Sequence, residues 1–281
     1  MGAPDLQRII RRLDDLPTLP RTLLRITELM NDPKTSARDL ALIIAEDQVL
    51  TARLLRIVNS SFYGFPQRVA TVTTAIVLVG FEAIRNLLLT ASVFNLFPAK
   101  NRQARRLLEQ LWDHALGCAA GAKAIGRHLR RERVEELFVA GLLHDIGKIV
   151  AMALFPADFT EALRRAEREG TSIVAAEQAL LGFDHTHAGR LLAERWRLPP
   201  RLVAAIAGHH HPAAPGADET AAIVHVADIF ARALGLGSGG TERVPPVDPA
   251  AWQRLKLRTG ALDAILAATL DEFDHLHPFL S

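Results

Sequence analysis

The chain has 281 residues, 49% of them hydrophobic and 23% charged, with a formal net charge of +2. That composition describes a globular protein with a sizeable core and excludes a disordered polyelectrolyte. The near-neutral balance argues against a dedicated nucleic-acid binder, and the single cysteine, Cys118, excludes a disulfide within the chain and fits a reducing cytoplasm.

Residues 1–15 carry charges and no apolar core of a signal peptide. The apolar runs at Ala75–Gly80 and Leu87–Ala91 are separated by Glu82, Arg85 and Asn86, so no stretch is expected to reach the roughly 20 residues that span a bilayer. Apolar residues recur three and four apart nearly everywhere, which predicts an all-α fold. Pro20 suits the first turn of a helix running to about Met30, and Asn31-Asp32-Pro33 ends it. Ser36 followed by Asp39 is a capping-box variant opening a helix through Ala45. Asp47 caps the next, which ends near Val58. Phe62 to Thr71 reads as a loop, and two further helices reach Phe97. Pro98 to Asn101 marks a boundary between residues 1–98 and residues 99–281. The helix pair Arg38–Ala45 and Val49–Val58 has a helix-turn-helix look, but it offers only Arg53 and Arg56 as basic contacts, so DNA readout is not expected.

The second part opens with a long helix, Arg102 to Leu129, carrying His114. A helix over Glu135 to Leu154 carries His144 and Asp145. Ser172 to Leu181 and Asp184 to Arg197 are helical, with Asp184 as N-cap. Leu198-Pro199-Pro200 breaks the chain and starts a helix leading to His209. Thr220 to Leu234 carries Asp228, Gly235 to Pro249 reads as a mobile loop, and two amphipathic segments follow. Arginines cluster at Arg102, Arg105 and Arg106 and at Arg127, Arg130, Arg131 and Arg133. A solvated helix face is the plain reading, and a docking surface for an anion the other.

His144-Asp145 is the informative pair, because it interrupts the otherwise apolar run Phe138 to Val150. A buried carboxylate without a partner costs several kcal/mol, roughly, and a metal ion is the economical partner when more histidines follow. His114, His185, His209-His210 and Asp228 supply them. Imidazoles with carboxylates suit Fe, Mn, Zn or Ni rather than Ca. The number of ligands is enough for two divalent ions sharing a carboxylate, the kind of pair that clamps a phosphoryl group. His128, His225, His275 and His277 read as ordinary hydrogen-bonded or exposed histidines, and His211 as exposed. His187, two residues from His185, is an alternative to it.

The series His114, His144-Asp145, His185, His209-His210, Asp228 resembles the HD superfamily of metal-dependent phosphohydrolases. Leu16-Pro17-Thr18-Leu19-Pro20, Val58-Asn59-Ser60-Ser61-Phe62-Tyr63-Gly64 and Ala75-Ile76-Val77-Leu78-Val79-Gly80 are similar to the HDOD family, the HD-related output domain of bacterial signalling. The resemblance implies an HD-like helical bundle preceded by an N-terminal helical subdomain. It assigns His114, His144, Asp145 and Asp228 to a core metal set, with Asp145 as bridge, and His185, His209 and His210 to a second metal. It makes Lys148 a contact for substrate phosphate, against the alternative of a lysine snorkelling from a buried helix. Gln110 replaces a Glu found in three-metal relatives. The Gly-Tyr-Pro loop of cyclic-di-GMP phosphodiesterases is missing from His211-Pro212-Ala213-Ala214-Pro215-Gly216-Ala217-Asp218. The expectation is therefore a cytoplasmic signalling output protein with signalling-protein partners and a dinuclear metal site, or else a phosphohydrolase using Asp145 and Lys148 on an anionic phosphate ligand.

Overall fold

The computed structural model describes residues 6–280 other than 31, 33, 60–62, 94, 95, 100 and 215–217, and among these every regular element is helical. In chain order the first helices are α1 (Gln7–Ile10), α2 (Arg21–Met30), α3 (Ala37–Ala45), α4 (Gln48–Val58), α5 (Val72–Val79) and α6 (Phe81–Val93). Then come α7 (Arg102–His128), α8 (Val134–Leu143), α9 (Ile146–Leu154), α10 (Pro156–Glu169) and α11 (Ile173–Leu181). The last are α12 (His185–Arg195), α13 (Pro200–Gly208), α14 (Glu219–Ala233), α15 (Pro249–Leu255) and α16 (Leu262–Leu280). Two compact units result: Thr18–Pro98 with Asp271–Ser281, and Met1–Pro17 with Ala99–Leu270.

In the first unit the caps are the ones the sequence predicts. Ser36 Oγ accepts from the Asp39 N–H while the Asp39 carboxylate accepts from the Ser36 N–H, a complete capping box. Asp47 accepts from the Leu50 N–H to start α4. These caps set where each helix begins, and so which face carries Leu40, Ile44, Leu54 and Ile57 into the core. Ser36→Ala is expected to cost about 1 kcal/mol, read as a lowered midpoint in urea unfolding.

In the second unit α7 packs against α8 and α14, while α12 lies on α9 and α13. The N-terminal segment belongs here: Arg8 pairs with Asp158, Arg12 donates to the Leu154 carbonyl, and both guanidinium groups sit over the Phe155 ring at 4.8 and 5.2 Å. Such cation–π contacts are worth about 0.5–1 kcal/mol when exposed.

Two expectations are corrected, and one helix is added. The helix expected over Glu135 to Leu154 is two helices, α8 and α9, parted at His144-Asp145. Helix α10 is the addition, in a stretch to which the sequence assigns no element; Pro156 starts it and Gly170, at φ +63°, ends it. The stretch Val134–Leu154 is long and apolar enough by composition to cross a membrane, contrary to the expectation that none would be, and it is 89% buried inside the protein.

Candidate metal centre

The break between α8 and α9 creates the centre. On an unbroken helix, successive side chains diverge by about 100°, so His144 and Asp145 would face different ways. At Asp145 the backbone leaves helical geometry (φ −98°, ψ 11°), and His144 Nε2 comes within 3.3 Å of Asp145 Oδ2. Asp145 occupies the N-cap position of α9, yet its side chain caps no N–H. The carboxylate points to the other predicted ligands instead.

Those ligands come from four further places. His114, on α7, puts Nε2 2.8 Å from Asp228 Oδ1, on α14, and 3.7 Å from Asp145 Oδ2. His185, the first residue of α12, puts Nε2 3.3 Å from Asp145 Oδ1 and 3.0 Å from His210 Nε2. His209, just past α13, puts Nε2 3.7 Å from Asp145 Oδ1. Two groups result among the described residues, His114/His144/Asp228 and Asp145/His185/His209/His210, and within each the ligand atoms lie no more than 4.8 Å apart. All seven predicted residues are brought together. Asp145 turns one oxygen to each group.

Hydrogen bonds behind the rings fix which nitrogen faces inward. His144 Nδ1 donates to the Gly141 carbonyl at 2.6 Å, and His209 Nδ1 to the Ile206 carbonyl at 3.0 Å. His185 Nδ1 donates to Glu177 Oε2 at 2.6 Å. Each leaves an Nε2 lone pair aimed at the centre, the usual arrangement behind a metal-bound histidine. His144 Nε2, His209 Nε2 and Asp145 Oδ1 are buried and have no hydrogen-bond partner among the described residues. Leaving buried acceptors so is costly; a cation at the first group would relieve His144 Nε2, and one at the second His209 Nε2 and Asp145 Oδ1. The donor set therefore fits divalent transition metals.

The electrostatics agree. Burial pushes His114 and His209 down to about 4, so both are neutral at pH 7. His210 is likewise held well below its ordinary value by burial and by His209 and His185. Burial opposes charge on Asp145, but His144 and Lys148 outweigh it and keep the carboxyl ionised; Arg232 does the same for Asp228. His144 is held well above its ordinary value because Asp145 overcomes the burial penalty. A cation at its Nε2, whether proton or metal ion, is favoured there.

Lys148 does not snorkel. It is fully buried, and Nζ donates to Asp145 Oδ2 and, at 2.7 Å, to the Gly239 carbonyl. The stretch Gly235 to Pro249, expected as a mobile loop, is thereby pinned at Gly239, and again by the Ser238 N–H on the Gln110 carbonyl at 3.0 Å. His187 belongs to neither group: its Nδ1 bonds Asp184 Oδ1 at 2.9 Å. His225 is a bridging histidine, bonded to the His209 carbonyl and the Asp248 N–H.

Two residues escaped the sequence reading. Glu177 is fully buried and takes both the His185 N–H and its Nδ1–H; its signal was a lone charge inside the apolar run Ile173 to Leu181. Arg232 donates from Nε to Asp228 Oδ1 at 2.9 Å; its signal was the i,i+4 spacing from Asp228. Glu177→Ala is expected to weaken metal binding about 10–100-fold, measured by metal titration of the refolded and native variant alike.

A helical bundle with two His/Asp groups that share one aspartate has the form of an HD-type domain. The sequence matches the HDOD domain over residues 16–212, and the chain belongs to that family. It is 26% identical over 208 residues to an uncharacterized protein of Treponema pallidum (strain Nichols), covering 74% of this chain and only 40% of the length of that relative. Among solved structures, an HDOD domain protein with unknown function from Geobacter sulfurreducens superposes with a TM-score of 0.74 at 26% identity, covering 95% of this chain and 96% of the other. A protein from Shewanella amazonensis SB2B, described as a candidate phosphohydrolase, superposes with a TM-score of 0.76 at 24% identity over 98% of each chain, a likeness of fold alone.

Proposed function

We propose that this chain is a signalling protein of the HDOD type whose second unit carries a dinuclear centre for Fe, Mn, Ni or Zn, and that the centre acts on a phosphate ester. The observation that carries this reading is Asp145, with one carboxylate oxygen toward each of two complete ligand groups. The first group would hold one ion through His114, His144 and Asp228, and the second group would hold the other through His185, His209 and His210. When bound, such a pair supplies Lewis acidity to a phosphoryl group and activates water.

The chain's own residues do the rest. Glu177 sets the His185 ring, and the carbonyls of Gly141 and Ile206 set His144 and His209. Lys148 and Arg232 place two positive charges beside two carboxylates, so the protein's side chains nearly cancel and the ions' charge remains for an anionic ligand. Lys148 and Asp145 are the pair proposed to act on that ligand, Lys148 by its charge. The signalling role rests on the family and implies a protein partner.

The test is metal content by mass spectrometry on untagged protein purified without chelator, with hydrolysis of bis(4-nitrophenyl) phosphate assayed in parallel. About two transition-metal ions per chain, with turnover lost on chelation, is the expected result. Folded protein that stays empty after incubation with Mn, Fe, Ni and Zn overturns the metal reading. Loaded protein without turnover overturns the hydrolytic part and leaves the regulatory one.

A further inference from the structure

A cleft of about 430 Å³ opens beside the centre. Its buried end is formed by His210, a member of one ligand group, and Arg232, which holds Asp228 of the other. One wall is apolar, made by Val174, Val244, Pro245 and Pro246, and the exposed Arg243 stands on the rim. No Asp or Glu lines it among the described residues.

That last point separates it from a cleft of about 490 Å³ at the start of α8. There four arginines meet three glutamates, and Arg131–Glu219 and Arg201–Glu136 pair at 2.5 and 3.8 Å. That surface neutralises itself. In the cleft beside the centre, Arg243 makes no ion pair among the described residues. Gly170 makes room for it: a Cβ there would come 3.1 Å from Arg243 Nη1, on a backbone at φ +63°. The positive charge thus stands at the rim of a cleft whose apolar wall leads to His210 and Arg232.

We propose that this cleft seats a phosphate ester of mononucleotide size, its phosphate toward His210 and Arg232, its organic part against Val174, Val244, Pro245 and Pro246, and Arg243 closing the rim. The assignment rests on the reading of the centre as one that acts on phosphate esters. Arg243, which no carboxylate of the cleft neutralises, supplies the charge that selects phosphate, and Arg232, already on Asp228, adds donors at the buried end. A volume near the lower end of ligand pockets suits one nucleoside rather than two.

The probe is adenosine 5′-monophosphate, with adenosine and inorganic phosphate as its two halves, titrated calorimetrically into the full chain both Mn-loaded and chelator-treated. The nucleotide is expected to bind more tightly than either half. Arg243→Glu is expected to weaken it about tenfold or more, with metal content unchanged, and Val174→Trp to weaken it by filling the wall. Arg164→Glu, on an exposed part of α10, is expected to leave it unaltered. If Arg243→Glu binds like Arg164→Glu, the cleft is not the seat. If inorganic phosphate binds as tightly as the nucleotide, the apolar wall takes no part and the proposal falls. In chelated protein the same Arg243 dependence is expected at lower affinity. A chain that takes up no metal yet binds through Arg243 therefore sinks the metal reading and keeps this one. A loaded chain without Arg243 dependence does the reverse.

Discussion

Asp145→Ala is expected to cost the protein both metal ions at once, whereas Asp228→Ala or His210→Ala costs one. The reason is geometric. Asp145 Oδ2 lies 3.3 Å from His144 Nε2 and 3.7 Å from His114 Nε2, and Oδ1 lies 3.3 Å from His185 Nε2 and 3.7 Å from His209 Nε2. Asp228 approaches only His114 and His144, at 2.8 and 3.8 Å. Truncating Asp145 also strips the fully buried Lys148 of its carboxylate, leaving it the Gly239 carbonyl. Breaking a buried ion pair from one side costs about 3–5 kcal/mol. Metal analysis and urea unfolding on the same preparation read both effects. Loss of one ion alone, or unchanged stability, would show that Asp145 is not the shared ligand.

Gly147→Ala is expected to be as damaging from outside the ligand set. A Cβ at 147 would lie 1.8 Å from the His185 carbonyl oxygen and 2.6 Å from the Gly189 nitrogen, both main-chain atoms of α12. Neither can swing aside as a side chain can, so α9 and α12 must part. Overpacking costs about 1–3 kcal/mol, and more where backbone must move. Because α12 begins at His185, parting the helices carries that imidazole away from Asp145. The variant should lose stability by about 3 kcal/mol and lose metal from the His185 group. Gly260→Ala, where a Cβ meets open space, is the matched control and should change stability by less than about 0.5 kcal/mol.

Local chemistry was legible in the sequence, and relations between distant segments were less so. The Ser36–Asp39 box and the Asp47 and Asp184 caps act within a few residues, so the residue types announce them. The seven candidate ligands stood out because each is polar or charged in an apolar setting. The break at His144-Asp145 did not, since apolar periodicity runs through it and a single residue's backbone angles make it. Glu177 and Arg232 were missed because each acts through a residue already chosen, and only the folded turn from α11 into α12 brings Glu177 beneath His185. The tie of Lys148 to Gly239, 91 residues away, has no local signal at all.

Each carboxylate of the centre has a resident cation, Lys148 on Asp145 and Arg232 on Asp228. In small zinc domains the ion is a folding partner, and the empty chain stays unfolded. Here a newly made chain can collapse without waiting for metal, because its buried negative charge is answered from within. On the dinuclear reading proposed above, an ion would then be taken up by a chain already folded, with Asp145 shared between it and the lysine. The cellular amount of this protein should accordingly hold steady through metal starvation while its centre empties, so that scarcity is felt as a change of state in a standing population rather than as a loss of molecules.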